Sequence, residues 1–172
     1  WWTAALMDGG FDSKATSSGS VVRLNSSWDG SAGAASAPQT GSGKLDLVTF
    51  AHPFLGDGRF ANVPWAQEVP DPMSGHAWDT WVLVNPEDAA ELGVNDNDLV
   101  AIKSDNGSIN VGVEVYPFVR KGTVAVPFGN GHSANGRYAN ETGQNAVDLL
   151  SGNGSAWQQS KVSLSATGQT AT

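Results

Sequence analysis

Between Trp78 and Phe128 the chain reads WDTWVLVNPEDAAELGVNDNDLVAIKSDNGSINVGVEVYPFVRKGTVAVPF, and here every local signal points the same way. Trp81–Val84 is a short run of β-branched, apolar and aromatic residues, which predicts a buried strand. Asn85 offers a capping side chain, and Pro86 takes the first helical position, where a missing N–H costs nothing. Glu87 and Asp88 put negative charge at the positive end of the helix dipole, and Gly93 is a left-handed stop, so a helix over 86–92 is expected. Leu99–Lys103 predicts a second strand. Asp105-Asn106-Gly107 predicts a hairpin with a type I′ turn. Ile109, Val111, Val113 and Val115 alternate with Asn110, Gly112 and Glu114, the pattern of a strand with one buried face. Pro117 closes that strand, Lys121-Gly122 turns the chain, and Thr123–Pro127 forms another. This order of strands around one short helix is the grammar of a small closed barrel. A βαβ nucleotide fold would need longer, recurring crossover helices.

Composition narrows the function. The 172 residues allow one domain of ordinary size with tails, and 21 glycines with 8 prolines suit a turn-rich β protein. A formal charge of −8 and a pI near 4.6 exclude nucleic acid as a partner, because phosphate backbones require a basic face. The absence of cysteine excludes an iron–sulfur cluster, a disulfide or a thiol nucleophile within this chain. No run approaches the roughly 18 apolar residues of a membrane helix. The opening WWTAALMDGG lacks the basic start and apolar core of a signal peptide, and a chain beginning with Trp is expected to be a piece of something longer.

Residues 1–10 have apolar residues at helical spacing, and residues 12–44 have the Ser, Ala and Gly content of a linker. A domain boundary is therefore expected near residue 44, with a barrel over 45–150 and a C-terminal strand and tail over 151–172. Gly41-Ser42-Gly43-Lys44 looks like the end of a phosphate-binding loop, but Pro38 and Leu45 stand where that loop needs Gly and Ser or Thr. Leu45–Phe50 reads as the first barrel strand. The long connection that follows, AHPFLGDGRFANVPWAQEVPDPMSGHAW, reads as irregular and rich in Pro, Gly and aromatics, the kind of segment that covers something or carries function. The second irregular segment, Gly129–Leu150, has four glycines and four asparagines around His132, Arg137 and Tyr138. Glycine lets backbone N–H groups approach a ligand, and Arg137 is suited to clamp an anionic oxygen. That composition fits a phosphate or pterin-like ligand, or an ordered loop that satisfies its own backbone. Asn145–Leu150 predicts a short helix or strand, and the residues around Val162 and Leu164 an edge strand before a disordered tail. His52, His76 and His132 have no metal-site spacing and read as structural. No Gly-x-Ser-x-Gly elbow exists, and the Gly107-Ser108 pair is accounted for by the hairpin.

The stretch TWVLVNPEDAAELGVNDNDLVAIKSDNGSINVGVEVYPFVRKGTVAVPFGNGH resembles the C-terminal dinucleotide-binding domain of molybdopterin oxidoreductases. The resemblance covers residues 45–150 and implies a mainly β fold, a double-psi β-barrel with short helices. Asn97 stands where that family usually has Gly, and Asn is the next best residue for positive φ. RFANVPWAQEVPDP, WDTWV and GHSANGRYA resemble more closely the molybdopterin-oxidoreductase-like large subunit of bacterial alternative complex III, a quinol-oxidising membrane assembly. The resemblance implies molybdopterin guanine dinucleotide as the cofactor of the catalytic members, and a pterin-free module in the alternative complex III subfamily. It implies contacts to that cofactor from His52, Asn62, Gly131, His132, Arg137, Tyr138 and Asn145. It implies no catalytic residue and no metal ligand in this chain. The partners it implies are the rest of a large subunit and the iron–sulfur, haem and membrane subunits of a respiratory complex on the periplasmic face of a bacterial inner membrane.

Overall fold

The computed structural model describes residues 41–150 and 160–171. The expectations for residues 1–40 and 151–159 lie outside the described residues. Six strands, β1 (Leu45–Ala51), β2 (Trp81–Val84), β3 (Asp98–Lys103), β4 (Ser108–Val115), β5 (Thr123–Phe128) and β6 (Ser160–Thr170), close into a barrel in the order β1-β5-β2-β4-β3-β6. Two pairs run parallel, β1 with β5 and β2 with β4, and the other neighbours are antiparallel. Such a closed, mixed six-stranded barrel with short helices is the double-psi β-barrel expected from the sequence.

The expected helix is present as α2 (Pro86–Leu92), and its ends are built as the sequence predicts. Asn85 Oδ1 accepts from Glu87 N at 2.9 Å, and Gly93 (φ 67°) ends the helix with its N–H and that of Val94 returned to Ala90 and Ala89. Tertiary structure adds uses that local reading does not contain. Asn85 Nδ2 also donates to Val119 O at 2.7 Å, and the buried Asp88 carboxylate accepts Gly122 N–H at 2.6 Å, so the helix is pinned to the β4–β5 loop. Asn97 adopts φ 64°, the left-handed geometry expected where it replaces Gly.

Three elements differ from expectation. Neither Asn106 nor Gly107 takes positive φ, so the β3–β4 turn is not type I′. Ser104 Oγ instead accepts Asn106 N–H and Gly107 N–H, at 3.1 and 3.2 Å, and closes the turn. Glycine is required at 107 by space: a Cβ there would lie 2.6 Å from Asp148 O. The connection after β1 is not wholly irregular, because Pro64–Glu68 forms one turn of helix, α1, with Pro at its start. The strand around Val162 and Leu164 is not an edge: over its 11 residues β6 pairs with both β1 and β3 and completes the barrel.

The inward-facing Leu47, Val82, Val84, Val100, Ile102, Val111, Val113, Val124, Val126 and Val162 are buried completely or nearly so and form one core. Leu149 and Ala146, from a 3-10 helix over Ala146–Leu149, plug it from one end. Burying these aliphatic side chains is the main favourable term in the fold, worth about 1.5–3 kcal/mol each before entropy opposes it. Among the described residues no helix is long and apolar enough to cross a membrane.

Candidate functional site

The parallel register of β1 and β5 decides where the site lies. Ala51 is paired with Phe128, so both strands leave the barrel at the same end, and His52 N donates to Phe128 O at 3.0 Å just beyond them. The two irregular segments, 52–80 and 129–145, therefore start side by side. Buried amides then lock them together. Gln67 Nε2 donates to Ala61 O and to Asn130 Oδ1, at 2.9 and 3.0 Å, while Asn130 Nδ2 donates to Asp79 O at 2.9 Å. Thr80 Oγ1 donates to Gln144 O and accepts Gln144 N–H, both at 3.0 Å. These bonds satisfy backbone that no strand satisfies, which lets the segments hold a fixed shape. Gln67 Oε1 is buried and has no hydrogen-bond partner among the described residues.

Between the segments lies a cleft of about 610 Å³, lined by Asp57, Gly58 and Arg59 from one side and by Gly131–Asn135 and Asn145 from the other. An adjoining recess of about 210 Å³ continues inward to Phe128, Gly129, Asn130 and Val147. Glycines make the close approaches. A Cβ on Gly131 (φ 82°) would lie 2.2 Å from Asn145 N, and one on Gly58 would lie 2.7 Å from His132 Nε2.

Four polar side chains of the cleft, those of Asp57, Arg59, His132 and Asn145, have partners within the chain. Arg59 makes a bidentate pair with Asp57, Nε to Oδ1 and Nη2 to Oδ2, both 2.8 Å, and this holds the Asp57 carboxyl well below the usual carboxylate range. Asn145 Nδ2 donates to Asp148 Oδ1 at 2.8 Å, and its Oδ1 accepts Val147 N–H at 3.2 Å as the cap of the 3-10 helix. His132 Nε2 lies 3.1 Å from Gly129 O.

Of the residues the resemblance pointed to, Gly131, His132 and Asn145 line the cleft together. Asn62, Arg137 and Tyr138 are exposed and do not line it. Asn62 Oδ1 accepts Tyr138 N–H at 2.9 Å and ties the two segments, and the Arg137 guanidinium sits over the Tyr138 ring at 5.5 Å. His52 is buried away from the cleft, where its Nδ1 accepts both Phe54 N–H and Leu55 N–H at 3.2 Å. Burial pulls its pKa below the ordinary value, against a smaller opposing effect of Asp71. With Nδ1 accepting, the proton of the neutral ring is on Nε2, and His52 acts as a structural staple. Its ring meets the edge of buried Trp81 at 5.4 Å, while His76 stacks on Trp81 at 5.1 Å. His76 Nε2 lies 3.4 Å from Glu114 Oε2, close enough for attraction but without hydrogen-bond alignment. Among the described residues no three His, Asp or Glu side chains form a metal-ligating group. Sequence reading names Asp57, Arg59 and Gln67 only as polar groups of a loop that faces a ligand or covers the barrel; that Asp57, Gly58 and Arg59 line the cleft, and that Gln67, Asn130 and Thr80 tie it from behind, comes from the structure. The Gly-Asp-Gly string was the available signal for the first group, and isolated loop amides carry none.

The sequence profile described as the molydopterin dinucleotide binding domain matches residues 64–159, more than half of the chain. The chain belongs to this family. It is 40% identical over 84 residues to the arsenate respiratory reductase molybdopterin-containing subunit of Shewanella sp. (strain ANA-3), covering 48% of this chain and 10% of that protein. It is 33% identical over 70 residues to the menaquinone reductase, molybdopterin-binding-like subunit, of Nitratidesulfovibrio vulgaris, covering 41% of this chain and 10% of that protein. Among solved structures, acetylene hydratase from Pelobacter acetylenicus aligns over 63% of this chain and 15% of its own, with a TM-score of 0.48 and 16% identity. The chain thus spans about a tenth of the length of the curated relatives it matches.

The residues present fit the family's group in shape. The cleft of about 610 Å³ has the volume of a small-ligand site, and His132, Ser133, Asn135 and Asn145 give it a polar wall suited to a hydrogen-bonding ligand.

Proposed function

We propose that this chain is the barrel domain that covers the pterin site of a large, quinol-linked respiratory oxidoreductase subunit, with a scaffold role and no catalytic residue of its own. The observation that carries this reading is the internal engagement of the cleft: Arg59 is bound to Asp57, and Asn145 to Asp148 and Val147. What the domain then offers is shape, backbone and a covering wall. The name of one relative, an arsenate respiratory reductase subunit, supports a respiratory setting, and that of another, a molybdopterin-binding-like subunit of a menaquinone reductase, a quinone-linked one. In this reading the partners are the remainder of the large subunit and iron–sulfur, haem and membrane subunits, on the periplasmic face of a bacterial inner membrane. The large subunit of alternative complex III is the proposed kind of subunit. Metal analysis of the purified complete subunit tests the scaffold role, with a molybdenum or tungsten content near zero expected. One metal per subunit, with tight calorimetric binding of the guanine-dinucleotide pterin, overturns it.

The second reading is an active enzyme whose cofactor this barrel retains, and the polar lining of the cleft by Ser133, Asn135 and Asn145 favours it. When bound, the group supplies oxygen-atom or electron transfer. Gly131, His132 and Asn145 would hold and orient it and exclude water from one side. Asn145→Ala in the complete subunit then lowers pterin content, read by fluorescence of the released and oxidised pterin. Unchanged content counts against this reading.

A further inference from the structure

Three Asn-Gly pairs lie among the described residues, at 106–107, 130–131 and 135–136, and the fold treats each differently. Asparagine before glycine is chemically labile, because a glycine nitrogen with no side chain beside it closes readily on the asparagine carboxamide carbon. The structure must supply two things for this to happen. The carboxamide must be free to turn toward its own backbone, and the glycine N–H must not be held by another acceptor. Asn130-Gly131 meets neither condition. Asn130 is buried, its Oδ1 accepts Gln67 Nε2 at 3.0 Å, and its Nδ2 donates to Asp79 O at 2.9 Å. Gly131 N donates to Thr142 O at 2.8 Å. At 106–107 the second condition fails. Asn106 is exposed, but Gly107 N–H is held by Ser104 Oγ at 3.2 Å, and Gly107 O accepts Ser104 N–H at 2.9 Å. Asn135-Gly136 meets both. Asn135 is exposed, and among the described residues neither its carboxamide nor Gly136 N–H has a hydrogen-bond partner. The bonds of this turn go elsewhere: Asn135 N donates to Asn140 Oδ1 at 2.7 Å, and Gly136 O accepts Asn140 N–H at 3.1 Å. The fold also demands the glycine, since a Cβ on Gly136 (φ 103°) would lie 2.4 Å from Asn62 Nδ2.

We propose that Asn135 is a spontaneous modification site on the cleft wall, deamidated in the folded protein well ahead of Asn106 and Asn130. Gly136 N, its proton removed by hydroxide, forms a bond to Asn135 Cγ. The Cγ–Nδ2 bond then breaks, Nδ2 takes up a proton and leaves as ammonia, and a cyclic succinimide remains. Water adds to either ring carbonyl and opens the ring. One opening gives aspartate, and the other gives isoaspartate, with the main chain rerouted through Cβ and Cγ. A water is consumed and an ammonia released, with no change of oxidation state. Either product puts a carboxylate among the residues that line the cleft. Arg59 is the one permanent cation in that lining, and it is already bound to Asp57. With His132 neutral, the lining therefore changes from formally neutral to negative, and an anionic group entering the cleft is repelled. The modification is a built-in ageing reaction that acts on the cleft and leaves the barrel core untouched.

Ageing of the native full-length polypeptide at mildly alkaline pH, followed by peptide mapping with mass spectrometry and enzymatic isoaspartate labelling, tests this. In the folded protein Asn135 is expected to convert several-fold faster than Asn106, with isoaspartate in excess over aspartate, while Asn130 stays amidated. In urea the three pairs should convert at comparable rates, because each is Asn-Gly and only the fold separates them. Asn135→Gln should abolish conversion at this position, since the longer side chain forms its larger ring slowly, and should leave the rates at Asn106 and Asn130 unchanged. Conversion of Asn106 or Asn130 in the folded protein as fast as Asn135 overturns the proposal. So does an Asn135 that stays amidated in the folded polypeptide and converts only in urea, because the loop is then held or covered.

Discussion

Replacing Gly131 with Ala separates two effects that usually arrive together. Gly131 and Gly122 have nearly the same backbone angle, φ 82° and 80°, so an added Cβ brings the same left-handed penalty at both, about 1–2 kcal/mol. Their surroundings differ completely. At Gly122 a Cβ meets nothing within 4 Å, whereas at Gly131 it would lie 2.2 Å from Asn145 N, 2.5 Å from Asn145 Cα and 2.5 Å from Gln144 C. Those are backbone atoms fixed by the Thr80–Gln144 bonds, so they cannot swing aside as a flexible side-chain end can. Overpacking of this kind costs about 1–3 kcal/mol more. Gly131→Ala should therefore destabilise by about 2–5 kcal/mol, and Gly122→Ala by no more than about 1–2 kcal/mol, reduced by the smaller entropy of the unfolded chain. Urea unfolding of the two variants and the parent, followed by circular dichroism, measures the difference directly at constant m-value. Equal destabilisation of the two would refute the reasoning, because it would mean that the 129–145 segment gives way freely and that the cleft is not a rigid cradle.

Three further outcomes follow from named contacts. His52 is held below its ordinary value of 6.5 by burial, so its neutral form belongs to the folded state. Its contribution is constant above that pH, and stability falls as pH drops through 6.5 because the unfolded chain takes up the proton first, with a slope of at most about 1.4 kcal/mol per pH unit. The same titration in His52→Gln should lose that component, and an unchanged profile would show that His52 does not cause it. Asp88→Ala removes the buried acceptor of Gly122 N–H and should cost about 2 kcal/mol in chemical denaturation, with a loss below about 0.5 kcal/mol counting against the helix anchor. Lys121 bridges Glu87 and Glu91 at the surface, at 3.0 and 2.7 Å, yet solvent and salt screen such pairs. Lys121→Ala should leave the thermal midpoint unchanged, and a clear, salt-dependent drop would give this pair more weight than its exposure allows.

Local chemistry wrote the barrel's frame into the sequence. Asn85, Pro86 and Gly93 bound α2, the alternation from Ile109 to Val115 faces β4 inward, and Asn97 takes the positive φ of the residue it replaces, because each depends only on neighbours in the chain. The residues of the cleft were half legible. Gly131, His132 and Asn145 sit in one Gly- and Asn-rich segment, and composition alone flags such a segment. Asp57, Gly58 and Arg59 come from another segment more than 70 positions away, and only the parallel register of β1 and β5 brings the two together. The same holds for the turn at Ser104–Gly107, where a hydroxyl supplied the closure and Asp148 imposed the glycine.

The sequence by itself thus determined the strands, the capped helix and the family, since periodicity, caps and turn residues act over a few positions. Tertiary structure decided that β6 closes the barrel, that His52 is a buried staple and not a cleft residue, and that α1 turns its aromatic side outward. Those choices depend on which distant surfaces meet, and pairing across the chain is set by register and packing that no local pattern encodes.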